Sequence, residues 1–95
     1  MSKEYWPLKC DEVKTILRNL GFKSRPQKRT SHEQWVGTLR GTFRKVTVDC
    51  PKAPFTPDLI KWMARQAGVT KREFYDALDK KEAEKIIAKD QPQEG

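Results

Sequence analysis

The sequence has few apolar residues and no long hydrophobic run. Hydrophobic residues make up 36% of the 95 positions, and charged residues make up 35%. No segment approaches the roughly 20 consecutive apolar residues that span a bilayer. The first residues, Met1 to Pro7, also lack the apolar segment of a secretory signal peptide. We therefore expect a soluble protein that resides in the cytoplasm.

Cysteine and histidine are scarce as well. The chain contains two cysteines, Cys10 and Cys50, and one histidine, His32. The cysteines are far apart and form no CxxC motif, and three Cys or His ligands are too few for a typical zinc site. We therefore expect two reduced thiols rather than a disulfide, and no metal or other cofactor.

The length limits the number of domains. A chain of 95 residues can bury one modest core and not two. We expect a single domain over residues 1–95, with a folded core over about 8–78 and a charged extension over 79–95.

Positive charge is concentrated in the middle of the chain. The net charge is +7, and residues 21–50 carry seven cations against two acids. The cations are Lys23, Arg25, Lys28, Arg29, Arg40, Arg44 and Lys45. This concentration predicts a surface for a polyanion. The alternative is a solvated face that only keeps the protein soluble.

Apolar periodicity and capping residues predict three helices. The first covers Leu8 to Leu20 and stops at Gly21. The second starts at Thr56 and Pro57 and ends at Gly68, and a capping box of Thr70 and Glu73 opens a third, short helix. Its continuation through Lys80–Lys89 is charged and thinly apolar, so we expect a protruding or frayed end.

Three strands are predicted between the first two helices. Phe22–Arg29 contains Pro26, which is typical of an edge strand or a bulge. His32–Thr38 and Phe43–Cys50 are joined by Arg40-Gly41, which suits a hairpin turn. Alternation along the second strand places Trp35 on the core face and His32 on the exposed face.

The order of elements predicts an α+β fold. A three-stranded antiparallel sheet with helices on one face buries that face and leaves the other in water. A wet and basic sheet face suits a nucleic acid.

The sequence resembles the HicA family of small RNA-cleaving toxins. The resemblance rests on Leu17-Arg-Asn-Leu-Gly21-Phe22, Arg25, Ser31-His32, Trp35, Val46-Thr-Val48 and Arg65-Gln-Ala-Gly68-Val-Thr-Lys-Arg-Glu-Phe74, over about residues 8–78. It implies a double-stranded-RNA-binding-domain-like fold, α-β-β-β-α with a short additional C-terminal helix. It also implies a metal-independent endoribonuclease, or mRNA interferase, of a toxin–antitoxin stress-response system, neutralised by a HicB-type antitoxin.

Three positions depart from the family pattern. Thr30 replaces a glycine before the Ser-His pair, and Glu33 stands where many members have a second histidine. The connector Cys50–Pro57 is not rich in histidine and glycine. These departures bear on cleavage efficiency and sequence preference more than on the fold.

His32 is the candidate catalytic residue, because histidine can both accept and donate a proton near neutral pH. It would remove the proton from the attacking 2′-OH or protonate the leaving 5′-oxygen. The second proton-transfer group stays open between water, a lysine and Glu33. Candidate RNA-binding residues are Arg25, Lys28, Arg29, Ser31, Arg44 and Lys45, with Ser31 ending or orienting the strand. The sequence has no carboxylate cluster suited to magnesium, so we expect no metal dependence.

Two other functions fit the same residues. A non-catalytic RNA-binding module of the same fold class would recognise duplex RNA by its shape. A protein-interaction domain would dock an acidic partner on its basic face. Trp62, Phe74 and Tyr75 are candidate interface residues, but we expect Trp62 and Phe74 to pack in the core.

Overall fold

The computed structural model describes residues 6–25 and 32–88 of the chain. The helices are α1 (Cys10–Asn19), α2 (Pro57–Ala67), α3 (Lys71–Asp76) and α4 (Lys80–Ala88), and the strands are β1 (Lys23–Arg25), β2 (His32–Leu39) and β3 (Thr42–Asp49). A short 3-10 turn covers Cys50–Lys52. The fold is therefore α+β, as the sequence predicts. No helix in the described part of the chain is long and apolar enough to cross a membrane.

The three strands form one antiparallel sheet in the order β1-β2-β3. Arg40 and Gly41 connect β2 to β3 with φ angles of 55° and 77°. Two successive positive φ values are typical of the tight hairpin turn that matches the twist of the strands. This turn confirms the predicted hairpin and pairs Leu39 with Thr42 at one end and His32 with Asp49 at the other.

The two faces of the sheet differ as predicted. Trp35, Leu39, Val46 and Val48 are buried and belong to the hydrophobic core. His32 lies on the opposite face, because side chains alternate along a strand. Trp35 is 3% exposed, and the Arg18 guanidinium of α1 lies 5.6 Å from its ring centroid. The prediction that Trp35 anchors the sheet on the core is confirmed.

Helix α1 carries its apolar residues on the core side and stops where the sequence indicates. Val13, Ile16 and Leu17 are buried, and Gly21 has a φ of +94° just after the helix. The helix begins later than predicted, because Leu8 forms an antiparallel bridge with Phe55 instead. The two backbone hydrogen bonds of this bridge measure 3.1 and 2.7 Å.

Local capping chemistry sets the bounds of α2 and α3. Thr56 Oγ1 accepts a hydrogen bond from the Leu59 N–H at 3.4 Å, and Gly68 ends α2 with a φ of +86°. The Thr70–Glu73 capping box is present, with both hydrogen bonds at 3.0 Å. These predictions are confirmed.

The segment after α3 packs against the core instead of protruding. The sequence predicts a frayed end here, but α4 covers Lys80–Ala88 and contacts α1 and α3. Ala83 and Ile86, three residues apart, are both buried. These two apolar residues are enough to dock the helix. The segment is otherwise highly charged, so its composition alone does not indicate that it packs against the core. The described residues therefore contain two helices after α2 rather than one.

The two cysteines are joined in a disulfide, so the prediction of reduced thiols is wrong. Cys10 opens α1 and Cys50 directly follows β3, and their Cα atoms lie 5.3 Å apart. This separation is typical of a disulfide. The Leu8–Phe55 bridge holds the same two segments side by side. Forty positions separate the cysteines, so the sequence contains no local sign of their proximity.

Candidate functional site

His32 begins β2 and points to the solvent-exposed face of the sheet. Its imidazole Nε2 lies 3.2 Å from Asp49 Oδ2, with the His32 side chain 54% exposed and that of Asp49 18% exposed. The carboxylate is therefore the more sheltered member of the pair. It is placed to hold the ring in one orientation while much of the imidazole surface stays in water.

Asp49 is a functional candidate that our interpretation of the sequence missed. It faces His32 because β2 and β3 turn at Arg40 and Gly41, so that opposed residues have numbers that sum to 81. The signal was available, since the predicted two-residue turn alone pairs position 32 with position 49. Glu33, the immediate neighbour of His32, was the only carboxylate considered from the sequence, and the hairpin register was not extended to position 49.

Glu33 is directed away from the imidazole. Its Oε2 lies 3.2 Å from Lys14 Nζ, and its Oε1 accepts a hydrogen bond from Trp35 Nε1 at 3.2 Å. Lys14 belongs to α1, and Trp35 lies on the buried face of the sheet. Glu33 therefore links the sheet to the helix, and it is a poor candidate for the second proton-transfer group.

The predicted RNA-binding residues are divided between the two faces. Arg25 is exposed and pairs with Gln34, which lies on the His32 face, and exposed Lys45 lies on that face of β3. Arg44 lies on the opposite face, in register with Gly37. Its Nε is so close to Gly68 that a Cβ there would lie 2.7 Å away. The structure therefore brings Arg25 and Lys45, but not Arg44, to the same face as His32.

Three further candidates, Lys28, Arg29 and Ser31, lie outside the described residues, as does Thr30. Their assignments stay predictions.

A groove of about 290 Å³ lies between the His32 end of the sheet and α2. Its lining includes His32, Asp49, Thr47, Lys52, Trp62 and Gln66. Lys52 adds a cation that sequence reasoning did not select. The Gln66 side-chain oxygen accepts a hydrogen bond from the Thr47 N–H at 3.2 Å, which fixes this side of α2 to β3.

Trp62 is exposed, so the expectation that it packs in the core is wrong. The core face of α2 consists of Ile60, Met63, Ala64 and Ala67. Trp62 lies outside that stripe and is 63% exposed. Listing the apolar residues of α2 does not show which of them face the core and which lie at the edge of the buried face.

Phe74 and Tyr75 are not surface residues. Phe74 is fully buried, which confirms its predicted core role, and Tyr75 is buried beside it in sequence. The Tyr75 hydroxyl donates a hydrogen bond to the Trp6 carbonyl oxygen at 2.7 Å. Of the three aromatic residues considered for a protein interface, only Trp62 is exposed.

Within residues 6–25 and 32–88, no group of three or more His, Cys, Asp or Glu side chains is arranged to hold a metal ion. Comparison with known proteins finds no matching family model, no matching curated protein and no matching solved structure.

Proposed function

We propose that this chain is a metal-independent endoribonuclease, a HicA-type mRNA interferase that acts in the cytoplasm and is neutralised by a HicB-type antitoxin. The observation that carries the proposal is the exposed His32 imidazole held 3.2 Å from the Asp49 carboxylate on a basic sheet face. An exposed imidazole that a carboxylate orients is a common arrangement for general acid–base catalysis.

The chemistry follows from this pair. In the neutral ring, a carboxylate at Nε2 favours the tautomer with the proton on that nitrogen, which leaves the basic lone pair on Nδ1. His32 then takes the proton of an RNA 2′-OH, whose oxygen attacks the adjacent phosphorus. The bond to the 5′-oxygen breaks, and that oxygen takes a proton from water or from a lysine. The products are a 2′,3′-cyclic phosphate and a free 5′-OH.

The surrounding cations support the same function. Arg25 and Lys45 lie on the His32 face, and Lys52 lines the groove beside it. Cations at these positions bind the phosphate backbone and stabilise the negative charge that develops on the phosphorane. An acidic surface of an antitoxin would cover the same positive face and block access to His32.

The order of elements supports the proposed fold family. Helix α1, the three antiparallel strands and α2 follow one another in the α-β-β-β-α order of a double-stranded-RNA-binding-domain-like fold. We propose that the fold is of that type, with α3 and α4 as additions after α2.

The test is cleavage of a mixed single- and double-stranded RNA by the purified protein in EDTA. We expect His32→Ala to lower the rate by about 10²–10⁴-fold, because it removes the proton acceptor. Lys81→Ala removes a cation from the exposed side of α4 and serves as the matched control, with a rate close to that of the wild type. Binding and circular dichroism are measured for each variant.

The possible results separate the candidate functions. Loss of cleavage in a folded His32→Ala variant that still binds RNA supports the nuclease. Equal binding without cleavage by both proteins leaves an RNA-binding module and makes His32 a bystander. Cleavage that EDTA abolishes and Mg²⁺ restores contradicts the metal-independent mechanism.

A further inference from the structure

Trp62 exposes an aromatic surface that the core does not use. Its exposure of 63% is the highest among the large hydrophobic residues of the described chain, and Phe43 follows at 62%. The helix that carries it already buries Ile60 and Met63 on another side. Packing therefore gives no account of a tryptophan at this position.

The indole stands beside the proposed reaction site. Trp62 and His32 line the same groove of about 290 Å³. Phe43 lies at the far end of β3, six residues from Asp49 and so about 20 Å along the strand. Of these two exposed aromatic side chains, Trp62 is the one that shares a groove with the candidate catalytic histidine.

Polar groups in the groove suit the edge of a nucleobase. The Gln66 oxygen accepts from the Thr47 N–H, so the Gln66 amide is held in place and its NH₂ group is the available donor. Lys52 supplies a cation for the adjoining phosphate. The groove therefore has one group for each part of a nucleotide: an aromatic ring for the face of the base, an amide for its edge and a cation for its phosphate.

A cation lies over the indole ring. Arg65 Cζ lies 5.6 Å from the Trp62 ring centroid, and Trp62 lines both the His32 groove and a second concavity that includes Arg65. A guanidinium over one ring face orients the indole by a cation–π contact. Trp62 also lines the His32 groove, so part of the indole surface is presented to a ligand there.

We infer that Trp62 is a stacking platform for the base of one unpaired nucleotide next to the phosphate that His32 acts on. A paired base inside a duplex is stacked on both sides and cannot lie on an indole, whereas single strands, loops and bulges offer such bases. The inference rests on the proposed RNA function, and it narrows the substrate class to RNA that is single-stranded at the cleavage site.

The test uses a single-stranded hexanucleotide with 2′-O-methyl groups, which cannot undergo attack by the 2′-oxygen. Its binding is followed by the anisotropy of a terminal dye, for the wild type, Trp62→Ala, Trp62→Phe and the matched control Phe43→Ala. We expect Trp62→Ala to raise the Kd about tenfold, since stacking on an aromatic side chain makes a contribution of that order. Trp62→Phe should retain most of the affinity, and Phe43→Ala should change it less than about twofold.

A second series replaces each nucleotide in turn with an abasic one. One position should weaken binding by the wild type but have no further effect on Trp62→Ala, because the missing base and the missing ring remove the same contact. Equal affinities for Trp62→Ala and Phe43→Ala, or an abasic series without such a position, overturn the platform. Tight binding of the duplex with the same dependence on Trp62 overturns it as well. A wild type that binds no RNA at all overturns the proposed function itself.

Discussion

Two carboxylates compete for a role beside His32, and they differ in where the fold directs them. Glu33 is its neighbour in the chain but contacts Lys14 and Trp35 on the other face. Asp49 is remote in sequence but lies directly across the strand pair. Alternation along β2 separates neighbours, and pairing with β3 joins distant residues, so the carboxylate that lies beside His32 is set by strand register rather than by sequence proximity.

Substituting each carboxylate by its amide tests this difference. We expect Asp49→Asn to lower the RNA cleavage rate at least about tenfold, because an amide NH₂ next to the ring favours the wrong tautomer. Glu33→Gln should leave the rate within about twofold and lower the free energy of unfolding by no more than about 1 kcal/mol, because the Lys14–Glu33 pair is partly exposed. Cleavage rates and urea unfolding of both variants provide the measurement. Equal losses of cleavage rate in the two variants would show that Asp49 does not orient His32 as proposed.

At the scale of elements, α4 shows how little apolar surface is needed to dock a helix. Ala83 and Ile86 are buried as members of the hydrophobic core, and α4 contacts α1 and α3. The Arg40 side chain connects the hairpin turn to the same region, with its Nη2 3.0 Å from Glu73 Oε2 and 3.5 Å from the Ile86 carbonyl oxygen. Helix α4 is thus held in the fold both by the burial of its apolar residues and by the hydrogen bond from Arg40.

Two adjacent isoleucines provide a matched pair for measuring this docking. Ile86 is 4% exposed, whereas Ile87 is only partly buried. We expect Ile86→Ala to lower the free energy of unfolding by about 2–4 kcal/mol, through lost burial and the cavity left behind. Ile87→Ala should cost clearly less. Thermal and urea unfolding give the values, and similar small losses for both variants would show that α4 is not docked in solution.

Sequence reasoning succeeded where the determining chemistry is local. The hairpin at Arg40-Gly41, the N-cap at Thr56 and the capping box at Thr70 each depend on a few consecutive residues. It failed where partners are far apart in the chain. The burial of Ile86 and the exposure of Trp62 depend on which face of a helix meets the rest of the fold. The candidate site shows the same difference: His32 was selected from the sequence alone, whereas its partner Asp49 is remote in the chain and was not selected. The catalytic role of His32 stays a prediction.

At the scale of the whole molecule, the disulfide ties the start of α1 to the end of the sheet. Such a link destabilises the unfolded chain by restricting its conformations. Cytoplasmic thiols are normally kept reduced. The proposed site of action therefore requires that the fold and the His32–Asp49 pair persist without the bond.

Reduction should lower stability without abolishing cleavage. A loop closed over 40 positions corresponds to about 4 kcal/mol in the chain-entropy account of disulfides. We expect a reductant to decrease the free energy of unfolding by up to that amount, measured by urea unfolding. The double variant Cys10→Ser with Cys50→Ser should match the reduced wild type and should not respond to reductant. A wild type whose unfolding is the same with and without reductant would show that the bond does not form in solution.

The same bond divides the polypeptide into a short N-terminal segment, a closed covalent ring and a linear C-terminal tail. The ring, residues 10–50, contains α1 and all three strands, and the tail carries α2, α3 and α4. A protease that cuts once within the ring therefore leaves two pieces that still migrate as one molecule until a reductant separates them. A cut in the tail releases a fragment at once. His32 and Asp49 both belong to the ring, so a single nick between them leaves the two halves of the candidate site covalently attached.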